Sequence, residues 1–233
     1  MAYGLNLYSD AGLLAFSSIY KGYRFLQKIT VTGTTNIGGR YYWIFNVTST
    51  TGTPIVFIKP TGTTSGRPGA IAIALTSVSG STYTYTVTTQ DTSSSGSSGN
   101  LYAYAFVPGS TTGTSYGINS FDSSGATTFS TADRQLKIAG YYISIAANTS
   151  GTSSSLSYGS VPSQYAIAMS TIGFSFQPGS TGGSFRFMIG GYINSNLLQY
   201  DRAGQIGFDT NPLSIYIVLG NIYVPIIDTS LYD

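Results

Sequence analysis

The sequence predicts an all-β protein made of two tandem antiparallel β-sandwich-like domains. Three observations favour this fold: short runs with strand-like alternation, frequent glycine and proline between those runs, and a stretch near the start that is repeated in mid-chain. No segment keeps the apolar periodicity of an amphipathic helix.

Strand-like alternation is clearest in three runs. They are RYYWIFNV at residues 40–47, TYTYTVT at 82–88 and LYAYAFV at 101–107. In the first run, Trp43 shares a face with Phe45 and Val47, so we expect this single tryptophan to anchor the core. In the second run, Tyr85 and Val87 lie opposite a row of threonines, as in a half-exposed antiparallel strand.

The repeated stretch opens the chain. Residues 3–18, from Tyr3 to Ser18, read YGLNLYSDAGLLAFSS, and residues 116–131, from Tyr116 to Thr131, read YGINSFDSSGATTFST. A weaker third copy, LLQYDRAGQIGFDT, occupies residues 197–210. Because each copy carries a glycine in a polar tip between two alternating arms, the pattern predicts three β-hairpins. Gly12 and Gly125 are expected at matching turn positions with positive φ.

A repeat at this separation favours two domains over a solenoid. The turn-forming stretch PGSTTGTS at residues 108–115 is the predicted linker, which divides the chain into domains 1–110 and 111–233. In the second domain, residues 148–159 are predicted as a Ser/Thr/Gly loop. Two apolar runs, 213–219 and 222–227, are predicted as a final hairpin about Gly220 and Asn221.

Composition excludes several classes of protein. Only 8% of residues are charged, but 42% are apolar and 14% aromatic, so the chain can bury a core. The formal net charge is +2 without a basic stripe, which argues against a nucleic-acid partner. We expect no signal peptide, because the first residues lack a basic start and an apolar run. We also expect no membrane insertion, because the apolar segment 213–227 is interrupted by polar residues.

The residues needed for common reaction centres are missing. The chain has no histidine and no cysteine, and its eight acidic residues are all aspartate. This excludes a Ser/His/Asp triad, a cysteine nucleophile and a histidine-ligated zinc site. Asp122, Asp201 and Asp209 lie in or beside the predicted hairpin tips, where turn capping explains them better than glycosidase chemistry. A serine–lysine mechanism stays open, but nothing marks a site. We therefore expect no enzyme and no catalytic, cofactor-binding or metal-binding residues.

The first hairpin carries a resemblance to a known group of proteins. Its pattern, with Tyr3-Gly4-Leu5, Tyr8, Gly12 and Phe16, resembles small tail-associated proteins of tailed bacteriophages. The mid-chain hairpin that opens with Tyr116-Gly117 is also similar to that group. Phe208-Asp209-Thr210 comes nearest to the Phe-Asp-Ser ending of those proteins, whereas the first copy has Phe16-Ser17-Ser18. The resemblance is limited to the hairpins, implies a virion tail component and supplies no functional residues.

The expected function is that of a structural component of a phage virion, in the tail tip, baseplate or fibre region, made in the host cytoplasm. The expected partners are other tail proteins and copies of the chain itself. Because tails are threefold or sixfold symmetric, the resemblance favours a trimer, with a hexamer second. Residues 222–227 are a candidate contact strand, although core packing explains them equally well. The alternatives are a host-receptor or glycan-binding tail module, a capsid decoration protein and a bacterial surface adhesin.

Overall fold

The fold is known from a computed structural model. It describes residues 6–8, 14–17, 22–31, 35–36, 40–60, 63–64, 67–68, 71–90, 101–110, 117–143, 153–168, 173–178, 182–194, 197–209, 216–218 and 223–233. These residues form β-strands and one short 3-10 turn, with no α-helix among them. The ladders between neighbouring strands are antiparallel, so the all-β prediction is confirmed.

Three strands of the first half begin at residues 40, 82 and 101, where alternation predicts them. The strands of this half are β1 (Asn6–Tyr8), β2 (Leu14–Ser17), β3 (Tyr23–Val31), β4 (Thr35–Asn36), β5 (Arg40–Thr48), β6 (Ile55–Pro60), β7 (Thr63–Thr64), β8 (Arg67–Pro68), β9 (Ile71–Ser79), β10 (Thr82–Gln90) and β11 (Leu101–Pro108).

The strands of the second half range from three to thirteen residues in length. They are β12 (Asn119–Phe121), β13 (Thr127–Ser130), β14 (Gly140–Ile143), β15 (Ser153–Gly159), β16 (Tyr165–Ile167), β17 (Gly173–Pro178), β18 (Ser184–Asn194), β19 (Leu197–Asp209), β20 (Tyr216–Val218) and β21 (Tyr223–Asp228). The 3-10 turn at Thr229–Leu231 follows β21 directly and is capped by the Asp228 side chain.

Most of these strands belong to one large sheet. Its order is β3-β11-β6-β16-β21-β14-β15-β19-β18-β9-β10-β5-β4, with β17 paired to β18 and β20 paired to β17. Three hairpins form separate two-stranded sheets: β1–β2, β7–β8 and β12–β13. Among the described residues, we find no helix with the length and apolar character needed to cross a membrane.

The larger core cluster lies where faces of this sheet pack against each other. Strand β5 contributes Trp43, Phe45 and Val47, which are at most 7% exposed, whereas Ile44 on the opposite face is 58% exposed. The same cluster contains side chains from β6, β11, β14 and β21. The predicted face of β5 and the predicted role of Trp43 are therefore confirmed.

Strand β11 is buried on both of its faces. Ala103 and Ala105 pack into the larger cluster, while Tyr104 and Phe106 pack into a second cluster on the other side. Both neighbours of β11 in the sheet, β3 and β6, pair with it along most of its length. This double burial explains why residues 101–107 are almost continuously apolar.

The sheet and both clusters cross the predicted domain boundary. Ile58 pairs with Ile167, and Ile71 pairs with Gly191. Each core cluster contains residues from before and after residue 110. The start of the predicted linker is also anchored, because the Gly109 amide donates to the Gly22 carbonyl at 2.9 Å. The division into two domains stays a prediction, with the added finding that the two halves share one sheet and one core.

The prediction of a third hairpin is wrong. Residues 197–209 form the single strand β19, which pairs with β18 over its whole length. Gly204 lies opposite Met188 in mid-strand, and Asp201 and Asp209 occupy strand positions rather than a hairpin tip. Register shifts in this ladder allow a glycine-containing segment to continue as a strand instead of turning. The weak similarity in sequence therefore does not correspond to a shared hairpin.

The prediction of a final hairpin is also wrong. Strand β20 pairs with β17, whereas β21 lies between β14 and β16, so the two runs do not pair with each other. Residues 220–221 lie outside the described residues. Val224, Ile226 and Ile227 are fully buried, and both edges of β21 are occupied. Core packing therefore explains the apolar residues at 224, 226 and 227, while the role of residues 222–227 as a contact strand stays a prediction.

The predicted loop at residues 148–159 contains a strand. Residues 153–159 form β15, which pairs with β14 near its end and with β19 near its start. Serine and glycine are poor strand formers by themselves, but pairing on both sides overrides this preference. The remainder of the predicted loop, residues 148–152, lies outside the described residues.

Candidate functional site

The two copies of the repeated stretch form the same hairpin. In the first, β1 pairs with β2, and in the second, β12 pairs with β13. The matched pairs are Asn6↔Ser17 with Asn119↔Ser130, Leu7↔Phe16 with Ser120↔Phe129, and Tyr8↔Leu14 with Phe121↔Thr127. Even the register shift falls at the same position, after Leu7 and after Ser120. The predicted equivalence of these two hairpins is confirmed.

The Tyr-Gly opening of the repeat has a steric cause. Gly117 has a φ of +117°, which disfavours any residue with a Cβ. A Cβ added there would lie 2.2 Å from the Thr131 hydroxyl oxygen. That hydroxyl accepts a hydrogen bond from the Ile118 amide at 3.0 Å and so closes the open end of the hairpin. Both the backbone angle and the close approach therefore require glycine at this position.

The tip of the second hairpin is held by Asp122. Its carboxylate accepts hydrogen bonds from the Ser124 amide at 2.9 Å and from the Ala126 amide at 3.0 Å. The Gly125 amide donates to the Asp122 carbonyl at 3.0 Å, and Gly125 has the expected positive φ, +84°. Asp122 thus caps the turn as predicted. The equivalent glycine, Gly12, lies outside the described residues.

Replacing Gly125 with valine is expected to lower the free energy of unfolding by about 1 kcal/mol or more. A Cβ at this position meets no atom within 4 Å, so the cost comes from the backbone angle alone. Gly125→Asn is the matched control, because asparagine tolerates positive φ and should cost less. Urea unfolding of the three proteins measures the difference. Equal stability of the valine and asparagine variants would contradict the assigned turn conformation.

The second hairpin presents apolar side chains to solvent. Ile118 is 67% exposed and Phe121 is 53% exposed. The polar side chains of Thr128 and Ser130 are the buried ones, and the Ser120 hydroxyl lies 2.6 Å from that of Thr128. This arrangement reverses the usual preference, because apolar groups face water and hydroxyl groups face inward.

The first copy of the repeat also has apolar residues at the positions equivalent to Ile118 and Phe121. Leu5 corresponds to Ile118, and Tyr8 corresponds to Phe121. Packing within this chain does not account for Ile118 and Phe121, because both remain more than half exposed. Exposed apolar side chains such as Ile118 and Phe121 are typical of a surface that contacts another molecule.

A groove lies at the base of this hairpin. Its volume is about 370 Å³, and it is lined by Phe129, Thr131, Asp133, Arg134, Gln135, Lys137, Leu231 and Tyr232. The Tyr232 hydroxyl fixes one wall, because it donates to the Gln135 carbonyl and accepts from the Lys137 amide, both at 2.9 Å. Leu231 is 46% exposed. The groove therefore offers an apolar surface with a charged rim.

The described residues contain one further polar cluster, around Asp233. Its carboxylate contacts the Lys28 ammonium at 2.6 Å and accepts a hydrogen bond from the Tyr104 hydroxyl at 2.8 Å. The hydrogen bond to Asp233 raises the pKa of Lys28 above its usual value. Burial pushes the pKa of Asp233 upward, but the hydrogen bonds from Lys28 and Tyr104 outweigh burial and hold this pKa below its usual value.

This cluster is an ion pair that ties β3 to the end of the chain. A lysine that acts as a general base needs a lowered pKa, so Lys28 is unsuited to a serine–lysine mechanism at neutral pH. The described residues also contain no group of three or more aspartate side chains placed to hold a metal ion.

Comparisons of the chain with models of protein families, with curated proteins and with solved structures found no match. The candidate site therefore rests on geometry and on the internal repeat.

Sequence reasoning found the hairpins but missed which of their residues are exposed. Alternation shows which residues share a face but not which face is exposed, so it leaves the exposure of Ile118 and Phe121 open. The signal that bears on this exposure is the pair of small hydroxyl residues Thr128 and Ser130 in β13, whose inward packing leaves the apolar side chains outside. The groove was also missed, because Leu231 and Phe129 are far apart in the sequence.

Proposed function

We propose that this protein is a non-enzymatic structural component of a bacteriophage virion, in the tail tip, baseplate or fibre region. One observation carries the proposal: the same hairpin occurs twice, and its second copy exposes Ile118 and Phe121. The resemblance of that hairpin to small tail-associated phage proteins supports the location. A contact element used twice in one chain is suited to a repetitive assembly rather than to catalysis.

The partner that we propose for the exposed hairpin is a second copy of this chain. The hairpin of one copy docks against the groove of the next, where Phe129 and Leu231 supply apolar surface. Such a head-to-tail contact closes into a ring when the rotation between copies allows it. The symmetry of phage tails favours a trimer, with a hexamer second. The contacts are apolar and polar side chains and need no metal or cofactor.

Low charge supports assembly as the role of this surface. Monomeric proteins usually keep their surfaces apart with abundant charged groups, but only 8% of residues are charged here. Exposed apolar side chains on such a surface favour association. In the assembled particle, burial of the hairpins against neighbouring copies or other tail proteins would remove these apolar side chains from water.

Immunogold labelling of intact virions tests the location. Antibodies raised against the full chain are expected to label the tail of particles made in the host cell. Antibodies preabsorbed with the purified protein provide the control. Label confined to the capsid would overturn the tail location in favour of a decoration protein. Label on the bacterial surface alone would favour an adhesin and contradict a virion component.

A further inference from the structure

Three tyrosine rings form a row on the surface of the large sheet. Tyr158 of β15 lies directly opposite Tyr141 of β14, and their ring centroids are 5.6 Å apart with an interplanar angle of 23°. Tyr223 of the next strand, β21, has its ring centroid 5.8 Å from that of Tyr141. Tyr158 is 59% exposed and Tyr223 is 65% exposed, and neither belongs to a core cluster. The row is therefore a surface feature that the core does not require.

A pair of glycines holds two of these rings together. Gly159 and Gly140 are paired immediately beside Tyr158 and Tyr141. A Cβ added at Gly159 would lie 2.0 Å from the Ala139 carbonyl oxygen, and one added at Gly140 would lie 2.6 Å from the Tyr158 carbonyl oxygen. Any side chain at either position would force β14 and β15 apart. The close approach of the strands fixes the spacing of the stacked rings before any ligand binds.

The segments that carry the row are rich in hydroxyl groups and poor in charge. Residues 139–143 and 153–163 include no aspartate, lysine or arginine, and the single charged residue of β21 is Asp228, at the opposite end of that strand from Tyr223. Ser157 and Ser160 lie within two residues of Tyr158 in the sequence and are exposed. An ionic ligand is better matched by charged side chains. Preordered aromatic rings among small hydroxyl groups instead fit a ligand with both C–H faces and hydroxyl groups.

We propose that Tyr158, Tyr141 and Tyr223 form a binding site for an uncharged oligosaccharide. The C–H groups on one face of a pyranose ring carry partial positive charge, and the face of a tyrosine ring carries partial negative charge, so the two surfaces attract each other. The phenol hydroxyls of the row can both donate hydrogen bonds to sugar hydroxyls and accept hydrogen bonds from them. Tyrosine also supplies this contact area at a low cost in side-chain entropy.

This site goes beyond the assembly role, and neither depends on the other. A glycan-binding test uses the isolated full chain, whereas immunogold labelling locates the protein in the particle, so failure of one proposal is distinguishable from failure of the other. Phe121 belongs to the two-stranded sheet β12–β13, and Ile118 directly precedes that sheet, whereas the tyrosine row lies on the large sheet. Substitutions in the row are therefore expected to leave assembly unchanged.

The test is binding of the full chain to a printed array of neutral, sialylated and uronic-acid glycans. Binding is expected among the neutral glycans, and the strongest of these is then titrated by calorimetry. Tyr158→Ala and Tyr223→Ala should each weaken its binding at least about tenfold. Tyr158→Phe and Tyr223→Phe keep the ring and should stay within about threefold of the unchanged protein.

Ile44→Ala is the matched control, because Ile44 is 58% exposed and lies on β5, which does not pair with the tyrosine strands. It should leave binding unchanged. Urea unfolding confirms that the alanine variants are folded, as their exposure leads us to expect. Binding to no glycan, or to acidic glycans alone, would overturn the proposal. Unchanged affinity in folded alanine variants would also overturn it, because the site would then lie elsewhere.

Discussion

Replacing Phe106 with alanine is expected to lower the free energy of unfolding by about 3–5 kcal/mol. Phe106 is fully buried in the second cluster, where its ring makes edge-on contacts with Phe57, Tyr232 and Phe25. The closest of these rings, that of Tyr232, has its centroid at 4.9 Å. Since single domains are stable by only about 5–15 kcal/mol, this one substitution removes a large part of the total.

Denaturant unfolding followed by Trp43 fluorescence measures this loss. Trp43 lies in the larger cluster and not in the second one, so the measurement also reports whether the two clusters unfold together. Phe106→Leu is the control, because it keeps an apolar side chain and should cost about 1.5 kcal/mol or less. A loss below about 1 kcal/mol for Phe106→Ala would contradict the described packing of the second cluster.

Replacing Ile118 and Phe121 with serine is expected to weaken self-association without unfolding the chain. Both side chains are more than half exposed, so the change in stability should stay within about 0.5 kcal/mol. If these side chains dock on a neighbouring copy, their loss raises the concentration at half assembly by about tenfold or more. Adding Leu5→Ser and Tyr8→Ser, which alter the first hairpin, should leave a monomer. Sedimentation over a range of concentrations measures each effect.

Leu75 and Val78 provide the matched control for this prediction. They are 42% and 54% exposed on β9, in a hairpin that is not repeated elsewhere in the chain. Leu75→Ser with Val78→Ser removes a comparable apolar surface and should leave association unchanged. If this control dissociates the oligomer and the Ile118/Phe121 variant does not, the repeated hairpin is not the contact element.

Local sequence patterns correctly predict several parts of this fold. The alternation in residues 40–47 predicts β5 and the face on which Trp43 and Val47 are buried. Two of the three hairpins predicted from the repeated stretch are present, and they agree down to the position of the register shift. Both features are set by contacts between residues near each other in the sequence, and these are the contacts that periodicity and turn chemistry report.

Two of the errors concern pairing over long separations. β21 has the composition of a hairpin arm, but its partners are β14 and β16, because their pairing buries Val224 and Ile226 on a shared core. Strand β15 forms from a Ser-rich segment because β14 and β19 pair with it. The row that includes Tyr158 and Tyr223 depends on the same three-strand order. Sequence periodicity carries no information about which strands become neighbours, so neither the pairing nor the tyrosine row was predictable from it.

The most direct test of the assembly proposal is the mass of the purified full chain in solution. Sedimentation equilibrium should give a closed species of about three times the chain mass of 24.6 kDa, reached without further growth as concentration rises. A mass six times that of the chain would support a closed hexameric ring in place of the trimer. A mass of 24.6 kDa at every concentration up to that found in assembled particles would contradict self-assembly through the repeated hairpin.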